Sequence, residues 1–93
     1  MSIEQKVIFR AWGRVQGVFF RQTAKEHAES LGITGFAKNE DDSTVTVVAE
    51  GENGDIDKFI KLIKQSFGET DVIIQEKERF PIEKRRFVSF EAM

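Results

Sequence analysis

The sequence predicts an α+β sandwich, with two helices packed on one face of a four- to five-stranded antiparallel sheet and elements in the order β-α-β-β-α-β. Three observations carry this expectation. Short runs rich in β-branched and aromatic residues recur along the chain, bounded by glycine, asparagine or proline. Two other stretches place apolar residues at the three- and four-residue spacing of a helix. A polar turn joins two strand-like runs in the middle, which reads as a hairpin.

Val7-Ile8-Phe9-Arg10-Ala11-Trp12 has the length and composition of a first strand and stops at Gly13. Gly13 to Val18 carries two glycines four apart and reads as a loop. Phe20, Ala24, Ala28 and Leu31 then fall at helical spacing, with Gly32 as the stop. Ile33 to Lys38 reads as a second strand ending at Asn39, and Glu40-Asp41-Asp42-Ser43 as a polar turn. Thr44-Val45-Thr46-Val47-Val48-Ala49 is a third strand, after which Gly51 to Gly54 is expected to break the chain. Ile56, Phe59, Ile60, Ile63 and Phe67 form the apolar stripe of a second helix, opened by Asp55 and closed by Gly68. Val72-Ile73-Ile74 starts a fourth strand, which Phe80-Pro81 is expected to interrupt because proline donates nothing to a ladder. Phe87-Val88-Ser89-Phe90 is expected as a short last strand. This is the ferredoxin-like order, and right-handed crossovers put both helices on one face. The opposite face is expected to be solvated, in line with Arg10 and Thr46 within strands.

Composition narrows the function. At 93 residues the chain is expected to form a single domain, 1–93, with one modest core. It has no cysteine, which excludes disulfides, zinc–thiolate sites and thiol nucleophiles, and its one histidine, His27, excludes multi-histidine sites. His27 lies near the first helix's apolar stripe and is expected to pack there. The net charge of −2 argues against a general polyanion binder. The strand Thr44 to Ala49 lacks the stacking aromatics of a sheet-face RNA module. Lys84-Arg85-Arg86 is a small basic run, expected to be a solvated loop. No apolar run is long enough to span a bilayer, and Met1 to Lys6 has no secretory pattern, so a cytoplasmic address is expected.

One segment carries chemistry. In Gly13-Arg14-Val15-Gln16-Gly17-Val18-Phe19-Phe20-Arg21 a loop leaves a strand and feeds a helix. Glycines let the backbone approach a ligand closely, successive amides can converge on an anion, and a helix N-terminus adds free donors and partial positive charge. Arg21 can grip two oxygens of a phosphate at once. Gly17 is not followed by Lys and Ser or Thr, so the loop is no Walker motif. The residues alone equally fit an ordinary strand-to-helix connection with a solvated arginine. Asn39 alone reads first as a strand end whose amide bonds nearby backbone.

The same nine residues resemble the acylphosphatase signature. Leu31-Gly32-Ile33-Thr34-Gly35-Phe36-Ala37-Lys38-Asn39 resembles the family's second motif, and Thr44 to Val47 with Glu50-Gly51 fits its next strand and turn. The resemblance covers essentially the whole chain. It implies hydrolysis of an acyl phosphate to carboxylate and inorganic phosphate, with no cofactor and no metal. By that carry-over Arg21 and the amides of Val15, Gln16, Gly17, Val18, Phe19 and Phe20 hold the phosphoryl group, and Asn39 orients the attacking water. The implied protein is a cytoplasmic monomer whose partner is a small molecule, not a nucleic acid or a membrane. The alternative is a non-catalytic anion-binding or interaction module of the same fold. Ser43 stands where the family usually has glycine, so a hairpin turn of a different type, or one under strain, is expected beside Asn39. Bulky Phe19 is a candidate to flank the acyl group.

Overall fold

The structure, a computed structural model, describes residues 3–13, 15, 19–68 and 71–93. The elements are β1 (Glu4–Gly13), α1 (Phe20–Ser30), β2 (Thr34–Asn39), β3 (Val45–Glu52), α2 (Asn53–Phe67), β4 (Val72–Ile82) and β5 (Phe90–Ala92), and the five strands lie in the order β4-β1-β3-β2-β5. The first four strands pair antiparallel, as the sequence predicts, whereas β5 adds to β2 in parallel, making the sheet mixed.

Alternation sets the inner face. Val7, Phe9 and Ala11 of β1 and Val45, Val47 and Ala49 of β3 are fully buried. The residues between them on β1, such as Lys6 and Arg10, point to the other face. Against the buried rows α1 lays Phe20, Ala24 and Ala28, and α2 lays Ile56, Phe59 and Ile63, spacings that keep each set on one helical stripe. Phe59 is the hinge of this core, its ring centroid 6.2 Å from that of Phe9 and 5.9 Å from that of Phe90. Burying one such phenylalanine stabilises the fold by about 2–3 kcal/mol. His27 packs between the helices, its Nε2 2.8 Å from Ser66 Oγ. Among the described residues no helix is long and apolar enough to cross a membrane.

Several boundaries differ from expectation. Gly51 does not break the chain but continues β3, and Asn53 and Gly54 already belong to α2. β4 runs unbroken through Pro81, because it is an edge strand with β1 as its one neighbour, so a missing N–H need not cost a ladder bond. The last strand begins at Phe90 rather than Phe87, because residues 85–87 are drawn to other partners and Val88 is exposed.

Those partners cover part of the face opposite the helices. Glu50 of β3 is only 1% exposed, and its Oε1 accepts the backbone N–H groups of Arg86 at 2.9 Å and Phe87 at 3.0 Å. Its other oxygen lies 3.6 Å from Lys6 Nζ. Phe87 stands edge-on to Phe36 at 5.5 Å, and Lys6 sits over its ring. Arg85 is not simply solvated: it forks onto both oxygens of Glu4 at 2.7 and 2.6 Å and donates to the Gly32 carbonyl at 2.7 Å.

The Arg85 hydrogen bonds, aided by its charge, hold the Glu4 carboxyl below the usual carboxylate range. A lowered folded-state value contributes stability that is present above the unfolded value of about 4.3 and lost as pH falls through the folded one. With both side chains near one-third exposed, the pair is expected to contribute about 1 kcal/mol. Glu4→Gln should therefore lower the melting temperature by about 5 °C at pH 7, and the gap should close near pH 3, measured by thermal unfolding monitored by circular dichroism.

Candidate active site

The loop after β1 is fixed at its root by a close approach. Gly13 has φ 101°, and a Cβ there would lie 2.3 Å from the Asp71 carbonyl oxygen, so no other residue fits without moving backbone. The Val15 N–H donates to the Gly13 carbonyl at 3.0 Å, and its side chain is buried in the core. Val15 thus anchors the loop, and its amide is already partnered. The expectations for Gln16, Gly17 and Val18 fall outside the described residues.

Phe19 precedes α1 in the left-handed region, with φ 61° and ψ 26°, and is 81% exposed. A non-glycine residue held there costs about 1 kcal/mol, and leaving its ring in water forgoes about 2 kcal/mol of burial. Its carbonyl accepts the Thr23 N–H at 2.9 Å, the opening bond of α1. No side chain caps this helix end, and no acidic residue lies in the first turn. An uncapped, acid-free N-terminus leaves donors and partial positive charge facing outward. Phe20 packs into the core with its ring 5.2 Å from Phe67, which fixes the angle at which the helix presents that end. Arg21, next along, is half-buried and donates through Nη1 to the main-chain oxygen of Met93. Val15, Phe19, Phe20, Arg21, Gln22 and Ala92 line one cleft of about 400 Å³.

Asn39 ends β2, paired with Val45. Its side-chain oxygen is buried and has no hydrogen-bond partner among the described residues, a state that costs about 1–3 kcal/mol unless something supplies a donor. Asn39 does not line the Arg21 cleft itself. The two are linked through Met93, whose N–H donates to the Ala37 carbonyl at 2.8 Å and whose oxygen accepts from Arg21. Ala37 is two residues, about 7 Å, from Asn39 along the strand. Nothing in the sequence signals this link, because it spans 72 residues and uses main-chain atoms on one side.

The hairpin turn beside Asn39 carries the expected strain, with Ser43 at φ 71°. Asp42 does not aim its charge at the site. The Thr44 hydroxyl at 2.6 Å and backbone N–H at 3.1 Å bind its Oδ1, and Arg10 lies 3.8 Å away. The hydroxyl bond first, and then the backbone bond, hold the Asp42 carboxyl below the usual range. His27 is not in the cleft. Among the described residues no three His, Asp or Glu side chains are grouped as a metal site would need.

Comparison with known proteins agrees with this geometry. The family model described as Acylphosphatase matches residues 5–92. A curated acylphosphatase of Mycobacterium sp. (strain KMS) is 41% identical over 80 residues, 82% of this chain and 85% of that protein. The crystal structure of acylphosphatase from Bacillus subtilis superposes with a TM-score of 0.76 at 27% identity, covering 96% of this chain and 98% of its own. An acylphosphatase structure from Coxiella burnetii gives the same TM-score and identity over 98% of this chain and 94% of its own.

Ser43→Gly should relieve about 1 kcal/mol of left-handed strain while adding unfolded-state entropy that offsets about half of it. The expected outcome in calorimetry is a rise of about 2 °C in melting temperature.

Proposed function

Since the chain belongs to the acylphosphatase family and is an acylphosphatase, a hydrolase, we propose that Arg21 and Asn39 carry its reaction. Arg21 grips the phosphoryl oxygens, joined by backbone amides of Gln16, Gly17, Val18, Phe19 and Phe20 at the start of α1. Val15 serves as the loop's anchor. Asn39 accepts a hydrogen bond from the attacking water on its side-chain oxygen, unpartnered among the described residues, and so aims the water's lone pair at phosphorus.

The chemistry asks for little more. The water oxygen bonds to phosphorus as the bond to the acyl oxygen breaks, and that electron pair leaves with the carboxylate. The leaving group's conjugate acid has a pKa of about 4, so it departs without a proton from a general acid. An amide accepts a hydrogen bond but cannot take a proton at neutral pH. The water's proton therefore passes to a phosphoryl oxygen, giving carboxylate and inorganic phosphate. What remains for the protein is positioning and charge stabilisation, which an arginine, a helix end and an amide supply. The observation that carries the assignment is the buried Asn39 oxygen, unpartnered among the described residues, on a strand that Met93 joins to the guanidinium at an uncapped helix end.

We further read the protein as a single domain over 1–93 that works as a metal-independent monomer in the cytoplasm, with no nucleic-acid or membrane partner. The slightly acidic net charge of −2 is what favours a small-molecule partner over a polyanion.

Purified protein should hydrolyse benzoyl phosphate at the same rate with excess chelator. Arg21→Ala should lower kcat/KM by about a thousandfold, and phosphate should no longer raise the melting temperature. Asn39→Ala should lower kcat by about a hundredfold or more while phosphate still protects the fold. Full activity in both variants would overturn the assignment.

A further inference from the structure

We propose that the Phe19 ring is a platform for the acyl group and selects acyl phosphates whose acyl part is aromatic or bulky and apolar. The proposal rests on the acylphosphatase reading and names the substrate class of the same site.

Two unfavourable features meet at this residue: a left-handed backbone and an aromatic ring 81% exposed. A smaller or polar side chain would avoid the second, and glycine would avoid the first. Strain of this kind persists where the surrounding structure enforces it for use. Its position says what the use is. Phe19 lines the same cleft as Arg21 and stands at the residue that opens α1, where the phosphoryl group is to be held. In an acyl phosphate the acyl carbon is two bonds from phosphorus, so a group beside the phosphoryl pocket meets the acyl substituent first. The other exposed large apolar residues, Ile3, Ile73, Phe80, Val88 and Met93, do not line this cleft. Val15 and Ala92 extend its apolar wall. A flat acyl group can cover the ring and exclude water from it, whereas an acetyl group presents a single methyl.

The test is the ratio of kcat/KM for benzoyl phosphate to that for acetyl phosphate, measured on the full chain, on Phe19→Ala and on Phe19→Trp. Because the ratio is taken within one preparation, a partly misfolded variant lowers both numbers alike. Phe19→Ala should reduce the ratio about tenfold, mostly through KM, the worth of one aromatic contact. Phe19→Trp should keep it within about twofold. An unchanged ratio in Phe19→Ala, or an equal fall in both variants, would overturn the platform. So would a Phe19→Ala protein inactive on both substrates, which would show that the side chain supports the phosphate cradle rather than the acyl group. Failure of the unmodified chain on both substrates would instead strike the acylphosphatase reading.

Discussion

Burial of Phe90 beneath Phe59 is the contact on which the site depends. The two rings meet edge to face, 5.9 Å apart at an interplanar angle of 70°, and Phe59 in turn touches Phe9 of the central strand. Phe90 opens a strand of three residues that would not hold by its hydrogen bonds alone. Anchored by that ring, β5 lies parallel to β2, with Gly35 opposite Phe90 and Ala37 opposite Ala92. The next residue, Met93, then reaches both the Ala37 carbonyl and the Arg21 guanidinium. An apolar contact in the core thereby sets the distance between the cationic end of α1 and the strand that carries Asn39.

The other face of the sheet is organised by polar contacts. Glu50 sits in β3, an inner strand, between Lys6 and Thr34 in the strand register, with its carboxylate shielded from water. A buried carboxylate is tolerated where donors surround it, and removing its partners costs several kcal/mol. Two backbone N–H groups and one ammonium meet that demand. In doing so they hang the connection between β4 and β5 on the sheet, while Arg85 ties the same connection to β1 through Glu4. β5 is consequently held from two sides, by an aromatic contact on the helix face and by charged hydrogen bonds on the open face.

What the sequence made legible follows from how local each signal is. The stripes of α1 and α2 and the hairpin from β2 to β3 depend on neighbours within a few residues, and all appear where their spacing puts them. Pro81 and Gly51 misled because their effect depends on sheet position: an edge strand tolerates proline, and β3 carries glycine through its end. Arg85, Glu50 and the parallel pairing of β5 were invisible for a related reason. Their partners lie 36 to 81 residues away or are backbone groups, which leave no trace in composition or periodicity. The proposed site residues Arg21 and Asn39 come from motif resemblance, whereas the Met93 link and the left-handed Phe19 emerge from geometry.

Three departures from local rules lie in or near the sequence segments of the proposed site residues. Among the described residues two non-glycines have positive φ, and they are Phe19 and Ser43. One lies two residues before Arg21, the other four residues after Asn39. Asn39 itself supplies one of the two buried side-chain oxygens that lack a partner among the described residues. A fold whose remaining elements agree with their local sequence gains nothing in stability from these three departures. Each holds a group ready instead: a ring in water, a turn bent against its residue, an acceptor without a donor. The proposed reaction, whose leaving carboxylate departs without an acid, gains from groups held in advance, because reorganising them during the reaction would raise the barrier they exist to lower. On the proposed roles of Arg21 and Asn39, the strained backbone near each of them in sequence is the structural form of that advance placement.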